Sequence, residues 1–494
     1  MADPLVVHTA DGAVLGRELH GLRTWRGIPY AAPPVGDLRL RAPHPVTPWS
    51  GVRDATRFGC VAPQSGLETR RMRMGEDCLT LNVVTPATRS ATPRPVMVFI
   101  HGGAYSGGSP TTPLYRGDGL VRRGDIVYVS INYRLGALGY LDFTDHSTGD
   151  RTFDSNLGPR DQIAALQWVQ RNIAAFGGDP DNVTLFGESA GGNAVTTLLC
   201  IPAAAGLFRQ AIAESPPAAS AYGRSRARAW AEEFLEMLDE PDPVRALGGA
   251  AVDELVRVGD ALVARGADEA PGTRAFAPVV DGDLLPRHPL DTFAAGLAHP
   301  VPLIIGTNAS EGTIFPRFLD IIPTDPVRIE KMFAETDPVV KSRILAAYPR
   351  YPDRHAAVQL GGDVSFWEPS VLVAQGHTRS APTYSYRYDF APNLLRWTGF
   401  GATHATELFA VFGSVDSPLG KAATALGGRS GLRAATNLVQ SHWLHFARHG
   451  RPRETWPAYS LERRETLVVD TVARVVNDPD GDKRRAWVGY QHRR

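Results

Sequence analysis

Apolar and polar positions change their period several times along this chain, and each change predicts an element. The first 30 residues alternate apolar and polar around Gly12, Gly16 and Gly21, which predicts short antiparallel strands at a sheet edge. Pro29 to Pro48 reads as a proline-rich loop rather than a linker, because apolar patterning resumes on both sides. Short, nearly uninterrupted apolar runs follow: Val96 to Ile100, Ile126 to Val129, Val183 to Phe186 and Val301 to Ile305. Runs of that length predict central strands covered on both faces. Between them, Arg160 to Phe176 spaces Ile163, Leu166, Trp168, Val169 and Ile173 as a helix does, and stops at Gly177-Gly178. Tyr384 to Tyr388 alternates like a strand, and Trp443 to Arg448 reads as a late helix ended by Gly450 and Pro452. Strand alternating with helix predicts an α/β protein with an open, mostly parallel sheet. No repeat, low-complexity tract or linker interrupts the pattern, so residues 1–494 are expected to form one large domain.

Composition narrows the function. Of 494 residues, 43% are hydrophobic and 21% charged, which is globular composition and not that of a disordered chain. Lys+Arg and Asp+Glu both count 52, so the net charge is zero and no basic domain announces a nucleic-acid reader. Only four of the basic residues are lysine, a bias of composition, since no block of arginines forms a tail. The 49 glycines and 39 prolines predict many tight turns. Cys60, Cys78 and Cys200 are too few for a disulfide framework. The opening MADPLVVHTADGAVLG has no basic region followed by an apolar stretch, and no window approaches the roughly 20 apolar residues of a membrane span. The expectation is a cytoplasmic chain with reduced thiols and no membrane partner. Its oligomeric state is not disclosed, with a monomer favoured.

The candidate chemistry begins at Gly187-Glu188-Ser189-Ala190-Gly191, the chain's only G-x-S-x-G. The apolar run Val183 to Phe186 leads straight into it, and the small-residue stretch Ala190 to Leu199 leads away as a helix. Strand, sharp turn and helix are what lift a nucleophilic serine to the top of a sheet. A helix N-terminus also aims amide N–H groups at an oxyanion forming beside Ser189. On the residues alone, Ser189 could instead be a helix N-cap. A second glycine-rich segment, His101-Gly102-Gly103-Ala104-Tyr105-Ser106-Gly107-Gly108, follows the run Val96 to Ile100. It has neither the G-K-[ST] ending of a P-loop nor the G-x-G-x-x-G register of a dinucleotide site. Its remaining uses are to present bare N–H groups to a tetrahedral intermediate, or to serve as a flexible turn. His101 reads as a hydrogen-bonded structural residue rather than a base.

Together with Asn132 to Gly136 and Asn172 to Pro180, these segments resemble the type B carboxylesterases of the α/β-hydrolase fold, the family of bacterial para-nitrobenzyl esterases and animal cholinesterases. Further matching blocks are Arg26 to Ala31, Glu76 to Asn82, Ala277 to Gly282 and Trp456 to Tyr459, in the expected order. The resemblance implies one large sheet with long loops walling an active-site gorge. It implies a triad in chain order Ser, Glu, His. Ser189 is then the nucleophile, Glu311 the acid in Gly306-Thr307-Asn308-Ala309-Ser310-Glu311-Gly312, and His404 the base in Gly401-Ala402-Thr403-His404-Ala405-Thr406-Glu407-Leu408. Ser310 stands where the family more often has aspartate. On the residues alone Glu311 could be a solvated loop carboxylate, and Asp281 is an equal rival for the acid. By the same resemblance, the N–H groups of Gly103, Ala104 and Ala190 form the oxyanion hole. Glu188 and Ser215 are read as supporting residues beside the triad, Ser215 lying in Glu214-Ser215-Pro216 where the family usually has Q-S-G.

The expected function is hydrolysis of carboxylic esters through an acyl-enzyme, on neutral, apolar, short to medium acyl or aryl esters, with no metal or organic cofactor. Amides, carbamates or lactones are alternatives for the same triad. A non-catalytic binding protein on this fold would be expected to have lost a triad member, and all three positions are filled. The segment from Val61 to Asp77 contains no tryptophan, so a cation–π site for a quaternary ammonium is not expected there. Arg70, Arg71 and Arg73 in that segment are either a solvated face or a preference for acidic or phenolic leaving groups. Cys60 and Cys78 are expected as a reduced pair. His442, His445 and His449 have metal-like spacing on one helix face, but without companion cysteines or carboxylates they read as surface histidines, His449 near the favourable C-terminal end.

Overall fold

The computed structural model describes residues 3–66 and 72–494. Eleven strands form the main sheet: β1 (Arg17–Leu19), β2 (Leu22–Pro29), β3 (Thr80–Pro86), β4 (Arg94–Ile100), β5 (Val127–Ile131), β6 (Gly178–Glu188), β7 (Gln210–Glu214), β8 (Leu303–Asn308), β9 (Thr383–Tyr388), β10 (Glu465–Val469) and β11 (Arg474–Asn477). Their spatial order is β11-β10-β9-β8-β7-β6-β4-β5-β3-β2-β1. Every pairing from β5 through β4, β6, β7, β8 and β9 to β10 is parallel, and antiparallel strands close both edges. The expected parallel α/β sheet is therefore present. The alternating N-terminal residues pair as expected too, β1 with β2 on the sheet's edge and Val6–His8 with Ala13–Leu15 in a small separate sheet.

Burial explains the uninterrupted apolar runs. Along β4, Val96, Val98 and Ile100 enter one core cluster while Met97 and Phe99 enter the cluster on the opposite face. Leu185 against Phe186, Ala211 against Ile212, and Leu303 and Ile305 against Ile304 divide in the same way. The pleat sends successive side chains to opposite faces, so a strand covered on both sides must be apolar at every position. The helices that bear on the site and its support include α1 (Leu157–Asn172), α2 (Ala190–Leu198), α3 (Arg224–Leu238), α4 (Val252–Glu269), α5 (Glu368–His377) and α6 (Arg429–His449). The stripe Ile163, Leu166, Trp168 and Val169 of α1 packs into the first cluster, and Val439, Trp443 and Phe446 of α6 into the second. At about 1.5–3 kcal/mol for each large side chain removed from water, these two layers supply the main cohesion of the sheet.

The carboxyl ends of parallel strands point one way, which is where ligands bind in open α/β sheets. Five neighbouring strands, β9-β8-β7-β6-β4, end there in loops carrying His404, Glu311, Ser215, Ser189 and the glycine-rich segment, in that spatial order.

Candidate active site

β6 runs directly into Ser189, whose backbone takes φ 59° and ψ −122°, and α2 starts at the next residue. That conformation is strained for a residue with a Cβ, and it is held by packing. The glycines make the turn possible. A Cβ on Gly191 would collide with the carbonyl of Ile100, and one on Gly192 would lie 2.6 Å from the carbonyl oxygen of Glu214. The Ser189 N–H donates to that same Glu214 carbonyl at 2.9 Å, locking the turn to β7.

The loop after β4 faces the turn: a Cβ on Gly102 would come within 2.9 Å of the Ser189 Cβ. Gly103, Ala104 and Tyr105 all have positive φ (116°, 54° and 59°), which only a strongly held loop sustains in alanine and tyrosine. The Gly103 carbonyl accepts from Ser106 and Gly107 N–H at 3.0 and 2.9 Å, and the Tyr105 ring stacks 4.0 Å from Tyr140. Among the described residues, no hydrogen bond engages the N–H groups of Gly103, Ala104 or Ala190. Three donors beside one strained serine are thus uncommitted. His101 is a structural residue, as expected. It is buried, its Nδ1 lies 2.9 Å from the Gly102 carbonyl, it stacks on Tyr133, and burial pulls its pKa down to about 4.

Glu311 opens a single 3₁₀ turn after β8, and its Oε2 lies 2.5 Å from His404 Nδ1. An ionised carboxylate only accepts, so Nδ1 carries the proton. The other carboxylate oxygen accepts from the Asn308 N–H at 2.6 Å and the Ser215 hydroxyl at 2.7 Å. The Ser310 N–H donates to the Ala402 carbonyl at 2.9 Å, tying the acid's loop to the base's loop. Phe366 and Phe315 pack on the imidazole with ring centres at 4.4 and 5.3 Å. Asp281, the rival acid, accepts from Ser155, Asn156 and the N–H groups of Asp283 and Leu285 in its own loop, at 2.8–3.0 Å.

Two further carboxyls complete the setting. Burial, reinforced by the nearby Glu311 charge, raises Glu407 to about 7; its oxygens lie 2.9 Å from the Ser215 hydroxyl and 2.5 Å from Asn308 Nδ2. Ser215 therefore joins the two glutamates through one hydroxyl. Glu188 lies on the other side of the histidine, its Oε1 3.2 Å from His404 Nε2, and burial raises its carboxyl to about 8. Burial pulls His404 down, but Glu188 first and Glu311 second overcome it and raise the imidazole to about 9. Nε2 makes no hydrogen bond in the described structure, so its lone pair is free when the ring is neutral. Sequence reasoning assigned no role to Asn308 or Glu407, although both stand inside the quoted motifs; polarity beside an apolar run was their signal.

All three cysteines are free thiols. Arg70 and Arg71 lie outside the described residues. His442 is a correction: it is buried edge-on against Trp456 instead of lying on the surface, and burial lowers its pKa to about 4. It faces inward because α6 packs its Trp443 and Phe446 side on the sheet. Among the described residues, no group of three or more His, Cys, Asp or Glu is arranged to hold a metal ion. No helix there is long and apolar enough to cross a membrane.

The carboxylesterase family profile matches residues 3–487. The chain is 37% identical over 495 residues to the para-nitrobenzyl esterase of Bacillus subtilis strain 168, covering 97% of this chain and 98% of that protein. Carboxylesterase 1F of Mus musculus is 33% identical over 513 residues, covering 93% and 89%. A solved thermophilic PNB esterase superposes with a TM-score of 0.88 at 36% identity, covering 98% of this chain and all of that one. Strained serine turn, uncommitted amides, paired acid and imidazole, and likeness over nearly its whole length agree: the chain belongs to the carboxylesterase family and is a carboxylic ester hydrolase of the α/β-hydrolase fold.

Proposed function

We propose that Ser189 is the nucleophile, His404 the general base and acid, and Glu311 the group that orients the imidazole. A serine hydroxyl is a poor nucleophile near neutral pH, so neutral His404 takes its proton at Nε2 as the oxygen attacks the acyl carbon. The observation that carries this reading is the His404–Glu311 hydrogen bond at 2.5 Å, which holds Nδ1–H toward the acid and leaves Nε2 without a hydrogen bond of its own. Charge developing on the carbonyl oxygen is met by the N–H groups of Gly103, Ala104 and Ala190, each donor worth about 10²–10³ in turnover. Collapse of the tetrahedral intermediate expels the alcohol, which leaves with the proton from His404. Water then enters, gives a proton to Nε2 and attacks the acyl-enzyme, and the acid product and free Ser189 are released.

Glu188, 3.2 Å from Nε2, favours by its charge the imidazolium that forms as His404 takes the proton, while Ser215 holds Glu311 in place. Residues 1–494 are read as one catalytic domain, supported by a main sheet drawing strands from Arg17 to Asn477. Zero net charge supports, as substrates, neutral, apolar esters that need no long-range steering. Replacing Ser189 with Ala should lower turnover of p-nitrophenyl butyrate by at least about 10⁴-fold. A residual rate close to that of the unmodified enzyme would overturn the assignment.

A further inference from the structure

The most deeply buried arginines of the described structure have carboxylate partners. Arg134 grips Asp161 through two hydrogen bonds of 2.6 and 2.8 Å, Arg39 grips Glu76 through two of 2.7 Å, and Arg94 meets Asp125 at 2.7 Å. Withdrawing a guanidinium from water is costly unless such a partner is supplied. Arg274 departs from the pattern. Its side chain makes no ion pair or hydrogen bond in the described structure, although it is half-buried. Burial lowers its pKa, and the nearest polar influences are the phenols of Tyr222 and Tyr105, with no carboxylate among them. It remains a cation at neutral pH.

Its position is built. α4 ends at Glu269, and the chain turns through a Thr273 hydroxyl bond to the Ala270 carbonyl at 2.7 Å. The Arg274 N–H then donates to the Tyr222 hydroxyl at 3.0 Å, and Ala275 and Phe276 anchor the following residues in the core. The guanidinium carbon sits 5.6 Å from the centre of the Phe366 ring, and that same ring lies 4.4 Å from the imidazole of His404. One phenyl group thus separates the free cation from the base, and Tyr105 belongs to the oxyanion loop itself.

We infer that Arg274 receives a carboxylate carried by the substrate, so that esters bearing a second, free carboxyl group, such as half-esters of dicarboxylic acids, are a preferred substrate class. A guanidinium presents parallel N–H donors that match the two oxygens of a carboxylate, and its desolvation strengthens the pairing. The zero net charge of the chain concerns long-range attraction; this cation acts inside the site, at the range of one substrate. The inference rests on Ser189 and His404 being the reacting groups.

The test uses two matched pairs of esters on the purified enzyme. One pair places the carboxylate on the acyl side, p-nitrophenyl hemiglutarate against p-nitrophenyl pentanoate. The other places it on the alcohol side, 4-carboxyphenyl pentanoate against 4-carbamoylphenyl pentanoate. Arg274→Gln should lower the anionic-to-neutral ratio of kcat/KM by about 30-fold or more in one of the pairs, and the pair affected identifies which side of the ester the cation reads. Arg274→Lys keeps the charge but loses the fork, and should fall between the two. An unchanged ratio in both pairs, with either variant, overturns the inference. Loss of turnover on the neutral esters by the unmodified enzyme would instead overturn the esterase site itself.

Discussion

His404 lies between two carboxyls, and this arrangement sets how the enzyme responds to pH. The base works only when neutral, yet Glu188 and Glu311 raise it to about 9. The rate should therefore climb as pH rises into the alkaline range, with Glu188 and His404 titrating as a pair. Removing the charge of Glu188 removes the largest single raising influence on His404. In Glu188→Gln the acid limb of kcat/KM against pH should move to lower pH, and an unmoved limb would show that Glu188 does not act on the base. Glu214 makes a second residue-scale case. Its Oε1 accepts from the indole N–H of Trp443 at 2.7 Å, Oε2 has no partner, and burial holds its pKa well above 4.5. Unfolded, the same group ionises near 4.5, so between that pH and the raised value the folded state binds more protons and stability falls as pH rises. Glu214→Gln removes this loss. Its melting temperature should equal or exceed that of the unmodified protein at pH 8, with the difference vanishing at pH 4; a lower value at pH 8 would refute the account. Neither carboxyl's state is legible in the chain, because burial comes from residues far away in sequence.

Elements were legible where their side chains were uniformly apolar, and hidden where buried polar groups break the pattern. β7 starts at Gln210 and ends at Glu214, both buried, with Gln210 Nε2 within hydrogen-bond distance of Asn182 Oδ1, Thr184 Oγ1 and the Ala447 carbonyl. β3 contains buried Asn82 and Thr85. A pattern reading passes over such strands, since a polar residue in sequence does not announce its partner. α6 is longer than Trp443 to Arg448 for a related reason: Thr436, Gln440 and His442 are buried polar members of its inner face. The serine turn and the oxyanion loop were legible because glycine is demanded there by collision, not by preference. Gly102→Ala should consequently push the loop away from Ser189. The expected result is a fall in kcat for p-nitrophenyl butyrate of about 10²-fold, the value of one misplaced oxyanion donor. Turnover within threefold of the unmodified enzyme would mean that the loop yields without moving its amides.

On the scale of the whole molecule, zero net charge predicts that neutral esters arrive by diffusion alone. Their kcat/KM should stay constant from low salt to about 1 M, where charges are screened within ~3 Å; a steep decline would reveal steering that the overall balance conceals. The fold class was readable from the alternation of strand and helix. The assembly of the site was not, because acid, base and nucleophile are separated by 93 residues of chain or more and meet only across the sheet. That meeting has a consequence for how the protein acquires activity. The catalytic groups sit on consecutive strands from β9 to β4, so any one pairing out of register separates a base from its acid or an amide from its serine. During refolding from denaturant, esterase activity should lag behind the recovery of helix and strand signals, since only the finished sheet aligns all five loops. Hydrolysis of a chromogenic ester then serves as a clock for the last step of folding, struck only when residues from Arg94 to Leu408 are all in place.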